Sequence, residues 1–182
     1  MTEADLIEQS RRGQPDAWEA LTRTYQETVF RLAYLLLGDP DDAQDVTQDT
    51  FVRAYFALKR FDARRPLRPW LLRIASNLAR NRRRSLGRYF TQLQRFAREP
   101  QPEAAPVGSD DSESLWQAVR RLRPEFQQVI YLRFFLSLSE AEMADALDVA
   151  AGTVKSRLHR ALAALRAVIL RDYPHLEGTF ES

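Results

Sequence analysis

Apolar side chains in this chain recur at steps of three and four and nowhere alternate at steps of two between turn residues, and that regularity confines the fold to helices. Trp18, Leu21, Tyr25, Val29, Leu32 and Leu36 fall on one stripe, as do Leu67, Leu71, Ile74 and Leu78, and again Val154, Leu158, Ala161 and Leu165. The breaks between stripes carry helix punctuation. A short first helix from about Glu3 to Arg12 stops at Gly13. Pro15 suits the first turn of a second helix, which runs to Gly38, a residue free to take the left-handed conformation of a C-terminal cap. Asp39 then caps a third helix with Pro40 in its first turn and Phe51, Tyr55 and Leu58 turned inward; a fourth starts near Arg68. These four helices close a bundle over residues 1–94.

From Arg95 onward the composition changes. Pro100, Pro102, Pro106, Gly108 and Ser109 stand among Glu99, Glu103, Asp110, Asp111 and Glu113, with few large apolar residues, which reads as a linker over 95–113. Two helices follow, near Glu113 to Leu122 and Pro124 to Phe135, then a helical pair to residue 172 and a tail over 173–182. The expected fold is all-α: two small helical domains, 1–94 and 114–172, joined by a flexible acidic linker, the second holding a helix-turn-helix.

That helical pair is the most informative stretch for function. Ser139 and Glu142 have capping-box spacing, which starts a helix at or beside Ser139. Asp148 follows Leu147 as a short polar residue that tolerates a left-handed turn and can cap the next helix. In that next helix Val154, Leu158, Ala161 and Leu165 face inward, so Lys155, Ser156, His159 and Arg160 face outward. From Lys155 to Arg171 the charged residues are all basic. Donors on the N-terminal half of such a helix are what enters the major groove in helix-turn-helix proteins. An ordinary solvated basic face would give the same pattern.

The net charge is only +2, but the charges are segregated. Between Lys59 and Arg88 the only acid is Asp62, against eleven Lys and Arg residues. Asp39, Asp41, Asp42, Asp45 and Asp49 form an acidic run just before it. On the fourth helix Arg73, Asn77, Arg80 and Arg84 recur at four, three and four, offering guanidinium and amide donors together. Upstream, the segment from Phe61 to Trp70, with Arg64, Arg65 and Arg68, is a proline-stiffened cationic loop with an aromatic at each end. Such a loop could take up an unstacked base, although Trp70, at helical spacing, reads as a core residue.

There is no cysteine, which removes disulfides, thiolate zinc sites and cysteine nucleophiles. No run approaches the ~20 apolar residues that span a bilayer, and the acidic Met1 to Asp5 lacks signal-peptide order, so a cytoplasmic protein with no membrane insertion is expected. A magnesium nuclease using Asp41, Asp42, Asp45 and Asp49 is disfavoured because those helical positions spread around the axis, and His159 and His175 are too isolated to pair. The expectation is a protein that is not an enzyme and needs no metal or cofactor.

Three segments, DAQDVTQDTFVRAY from Asp42, PWLLRIASNLARN from Pro69 and GTVKSRLHRA from Gly152, resemble the extracytoplasmic-function sigma factors of bacteria. The resemblance spans about Leu6 to Leu170. It implies a two-domain initiation factor that brings promoter specificity to core RNA polymerase through the beta-prime coiled coil and the beta flap. By position, Asp45, Gln48, Asp49 and Val52 would face polymerase. Arg64, Arg65, Arg68, Arg73, Asn77, Arg80 and Arg84 would hold the melted minus-ten strand. Thr153, Lys155, Ser156, Arg157, His159 and Arg160 would read the minus-thirty-five duplex. An anti-sigma factor is a candidate further partner, and the acidic linker would thread the nucleic-acid channel of polymerase or serve as a solvated tether. Leu67 stands where many relatives carry an aromatic residue, which weakens the case for an aromatic stacking on DNA from that position. His159 can be neutral or cationic near pH 7. The rival reading is an autonomous helix-turn-helix regulator, which predicts dimers on palindromic sites.

Overall fold

The computed structural model describes residues 2–93 and 110–176, with side chains over 2–85 and 111–176, and is helical without a strand among them. The chain divides into two units, α1 to α4 in one and the bulk of α5 to α8 in the other.

In the first unit α1 spans Glu3–Arg11, α2 Pro15–Leu37, α3 Pro40–Ala57 and α4 Leu67–Leu93, with a 3₁₀ turn at Leu58–Arg60. Local chemistry sets most of these limits. Thr2 and Asp5 form a reciprocal capping box at the start of α1, and Gly13 after it takes φ 81°. Gly38 takes φ 77° and donates its N–H to the Tyr34 carbonyl, closing α2. The Asp39 carboxylate accepts the Asp42 N–H at 2.8 Å and opens α3. Ile7, Leu21, Val29, Phe51, Leu58, Leu67, Leu71 and Ala75 form the main core, and Ala33, Ala43, Val46, Leu78 and Ala79 a second one. Each fully buried leucine contributes roughly 1.5–3 kcal/mol. Tyr55, expected inward, is instead 43 % exposed. Its position on α3 lets the ring lean on Trp18 at 5.4 Å while an edge stays in solvent.

The second unit consists of α5 (Asp110–Arg120), α6 (Pro124–Ile130), a π turn (Tyr131–Phe135), α7 (Glu140–Leu147) and α8 (Ala151–Asp172). Residues 95–109 of the expected linker lie outside the described residues, but Asp110, Asp111 and Glu113 open α5, where the helix dipole favours negative charge. The helix expected to Phe135 widens after Ile130, with the Leu136 N–H reaching the Tyr131 carbonyl. Tyr131 and Leu132 stay buried while Phe134 and Phe135 emerge. Gln127 Nε2 donates to the Arg120 and Leu122 carbonyls at 2.8 and 2.9 Å, satisfying acceptors left at the end of α5.

Ser139 and Glu142 make the expected capping box: the Ser139 N–H donates to Glu142 Oε2 at 2.8 Å, and the Glu142 N–H to Ser139 Oγ at 3.2 Å. Asp148 sits at φ 57°, so the turn is where the sequence puts it. Its capping role is not: Ala150 is the N-cap of α8, without a side-chain hydrogen bond. After α8 the chain turns back, burying Tyr173 and Leu176. The Tyr173 hydroxyl meets Gln117 Oε1 at 3.3 Å, the Arg121 guanidinium lies 5.3 Å over its ring, and His175 meets Ser114 at 3.1 Å. Residues 177–182 of the expected tail lie outside the described residues. Among those described, no helix is long and apolar enough to cross a membrane.

Candidate nucleic-acid interface

On α4 the buried side includes Leu67, Leu71, Leu72, Ala75, Leu78 and Ala79. The adjoining stripe carries Arg73, Asn77, Arg80 and Arg84, and the last three are exposed. Arg82, in the same basic run, is rotated away by the helical phase. It pairs with Asp42 at 2.5 Å and Asp45 at 3.4 Å on α3, and so clamps two helices of the bundle.

The loop before α4 is more ordered than its composition suggests. Phe61 is buried and its ring lies 4.7 Å from that of Trp70, which packs against the same core. The Asp62 carboxylate accepts Arg64 Nε and Nη2, both at 2.9 Å, and the Arg64 N–H at 3.1 Å. The Arg64 contacts hold the Asp62 carboxyl down at about 2. Arg64 is therefore engaged, although its side chain remains 90 % exposed. Arg65 and Pro66 are exposed, and Arg68 is half-buried. Sequence reasoning missed what holds this loop. Glu3 accepts the Leu67 N–H at 3.1 Å and the Tyr25 hydroxyl, while Arg11 donates from Nε to the Leu58 carbonyl at 3.1 Å and from Nη2 to the Phe61 carbonyl. Burial and the Glu3 contact push the Tyr25 hydroxyl up, against the opposing charge of Arg68.

The outer face of α3 holds Asp45, Gln48, Asp49 and Val52, all exposed. Phe56, one helical turn beyond Val52, is 78 % exposed. It was missed because its neighbours Phe51 and Leu58 mark α3 as an ordinary core helix; the i+4 step from Val52 was the available signal. Acid occupies one half of this face and apolar surface the other.

In the second unit Val154, Ala161 and Leu165 are buried and Leu158 half-buried on the inward side of α8. Lys155, Ser156, His159 and Arg160 are exposed, with Thr153 and Arg157 half-buried beside them. Ser156 Oγ donates to the Thr153 carbonyl at 3.1 Å, and Arg160 Nε to the Ser156 carbonyl at 3.2 Å, so both side chains lie along the helix. These surfaces hold donors suited to phosphates and base edges. Among the described residues no group of three His, Asp or Glu side chains converges to hold a metal ion.

Residues 21–89 match the model of Sigma-70 region 2, and residues 112–165 that of Sigma-70, region 4. The chain is 32% identical over 179 residues to the ECF RNA polymerase sigma factor SigW of Bacillus subtilis, covering 91% of this chain and 95% of that relative. Its fold is similar to that of CnrH, solved with the cytosolic domain of CnrY (TM-score 0.70, 28% identity, 93% of this chain and 98% of the other). It is also similar to the sigma factor RpoE from Bartonella quintana, solved with the anti-sigma factor NepR (TM-score 0.66, 25% identity, 85% and 97%). With a relative of this identity matched along nearly its whole length, the chain belongs to the extracytoplasmic-function family of RNA polymerase sigma factors.

Proposed function

We propose that this sigma factor reads its promoter at two places by two chemistries: the minus-thirty-five element as duplex through α8, and the minus-ten element as melted single strand through α4 and the loop before it. The observation that carries this reading is the segregation of exposed groups. An Arg and Asn stripe on α4 and an acid face on α3 share one unit, while the basic outer face of α8 belongs to the other. In this division Thr153, Lys155, Ser156, Arg157, His159 and Arg160 contact the major groove. Arg64, Arg65, Arg68, Arg73, Asn77, Arg80 and Arg84 hold the opened strand.

Keeping a base out of the stack costs a few kcal/mol, which pocket contacts and phosphate neutralisation offset. Polymerase, docked through Asp45, Gln48, Asp49 and Val52 on its beta-prime coiled coil and through the second unit on its beta flap, supplies the rest. We assign residues 1–94 to the first role, 114–172 to the second, and 95–113 to the connection between them. The protein acts in the cytoplasm, without catalytic chemistry of its own. A clamp by an anti-sigma factor fits the likeness to RpoE of Bartonella quintana, which was solved with the anti-sigma factor NepR.

An autonomous regulator would use α7 and α8 alone and leaves the α3 face and the α4 stripe without a role. Run-off transcription separates the two readings. Core polymerase plus this protein on fragmented genomic DNA should yield defined transcripts, and their complete absence would overturn the proposal.

A further inference from the structure

α1 lies outside the region 2 match, which begins at residue 21, yet it holds both ends of the loop to which the proposed function gives the melted strand. At the upstream end Arg11 forks onto two carbonyls, those of Leu58 and Phe61. At the downstream end Glu3 accepts the N–H of Leu67, the first residue of α4. The two grips stand eight residues apart on one helix, about 12 Å along its axis.

The helix has little freedom to move. Ile7 is fully buried, Leu6 packs on the same core, and Glu8 holds the Arg11 guanidinium from the other side at 2.5 Å. Tyr25 on α2 donates its hydroxyl to Glu3 and so fixes that carboxylate as well. Between the grips Asp62, Arg64, Arg65 and Pro66 are exposed, and the Phe61 ring is locked against Trp70. Ordering a free loop at the moment of binding costs backbone entropy of roughly 1–2 kcal/mol per residue. A loop already held at both ends by charge-assisted hydrogen bonds has met much of that cost in folding.

We infer that α1 is a splint for the strand-holding loop, with Arg11 and Glu3 as positioning residues that act on DNA through the backbone of residues 58–67. This inference rests on the proposed single-strand role of that loop. It assigns α1 a part in promoter opening that neither the α4 stripe nor the α3 face requires.

The test uses full-length variants bound to core polymerase. Its probes are single-stranded oligonucleotides selected on the wild-type holoenzyme from a randomised pool, and a duplex bearing only the upstream element. Arg11→Ala should lower oligonucleotide affinity roughly tenfold or more, the loss expected for charged hydrogen bonds. Duplex affinity, polymerase affinity and the far-ultraviolet spectrum should stay at wild-type levels. Glu3→Ala should behave the same way, whereas Glu3→Gln, whose amide oxygen still accepts the Leu67 N–H, should restore binding.

Unchanged oligonucleotide affinity in both alanine variants, or losses that merely track lost polymerase binding, would overturn the inference. Should Arg11→Ala fail to fold, the Glu3 pair decides: equal affinity of Glu3→Ala and Glu3→Gln refutes the splint. Arg65→Ala and Arg73→Ala are the controls for the underlying reading. If they too leave the affinity unchanged, the single-strand assignment of this surface has failed, and not only the role of α1.

Discussion

Asn77 lies on α4 between Arg73 and Arg80, and in the proposed reading its amide chooses among base edges while the neighbouring guanidinium groups hold the strand. Asn77→Ala should therefore widen base preference within the minus-ten element and leave polymerase binding intact, as sequenced transcripts and co-purification would show. Lys155→Ala removes a donor from the outer face of α8 and should weaken promoter complexes by ~1–3 kcal/mol, on templates that keep the minus-thirty-five element and not on those that lack it. A third side chain makes stability depend on pH. The carboxyl of Asp172 is held down at about 2 by hydrogen bonds from Arg171 and then Arg121. A depressed acid binds its proton less readily in the folded chain, so its stabilisation is complete above the ordinary carboxylate value of about 4 and is lost as pH falls through about 2. Thermal unfolding followed across that window should show the wild-type midpoint falling more steeply than that of Asp172→Asn.

Among the elements, those whose limits depend on local chemistry were legible. Gly13 and Gly38 take positive φ, Asp39 caps α3, and Ser139 pairs with Glu142, each decided within a few residues. The Asp148 turn was legible for the same reason, but its capping role was not, because two further residues separate it from α8. Long-range partners left no trace in the pattern. Arg11 finds its carbonyls 47 and 50 residues away, and Glu3 finds Leu67 at a separation of 64, so neither stood out from an ordinary charged helix. The return of the chain after α8 is a similar case, since Tyr173 and Leu176 are apolar residues without a period to place them. Leu176 is 1 % exposed, and Leu176→Ala should cost about 2–4 kcal/mol of stability in denaturant titrations of the second unit. On α3 the helical step that joins Val52 to the exposed Phe56 argues for an apolar anchor beyond the acids. Phe56→Ala should speed dissociation from core polymerase with little effect on its salt dependence, whereas Asp49→Arg should slow association in a salt-dependent way.

For the whole molecule, placing the two proposed DNA surfaces in separate units has an energetic consequence. A chain that reads two elements through two units gains from both only when something holds the units at the promoter's spacing; otherwise each binds with its own modest affinity. Polymerase is the natural scaffold, since α3 carries an acidic face on the same unit as the α4 stripe. The isolated protein should thus bind duplex promoter weakly in fluorescence anisotropy at physiological salt, and the holoenzyme tightly. Within the holoenzyme, Asn77→Ala and Lys155→Ala have no shared partner, so their costs should add to within about 0.5 kcal/mol. Asn77→Ala combined with Arg73→Ala, on one stripe, should depart from additivity if the two side chains hold the same strand, as proposed. If the pair drawn from different units proved strongly coupled, or if the free chain bound promoter duplex as tightly as the holoenzyme does, the two surfaces would form one preassembled site, and the division of labour between sigma factor and polymerase would have to be redrawn.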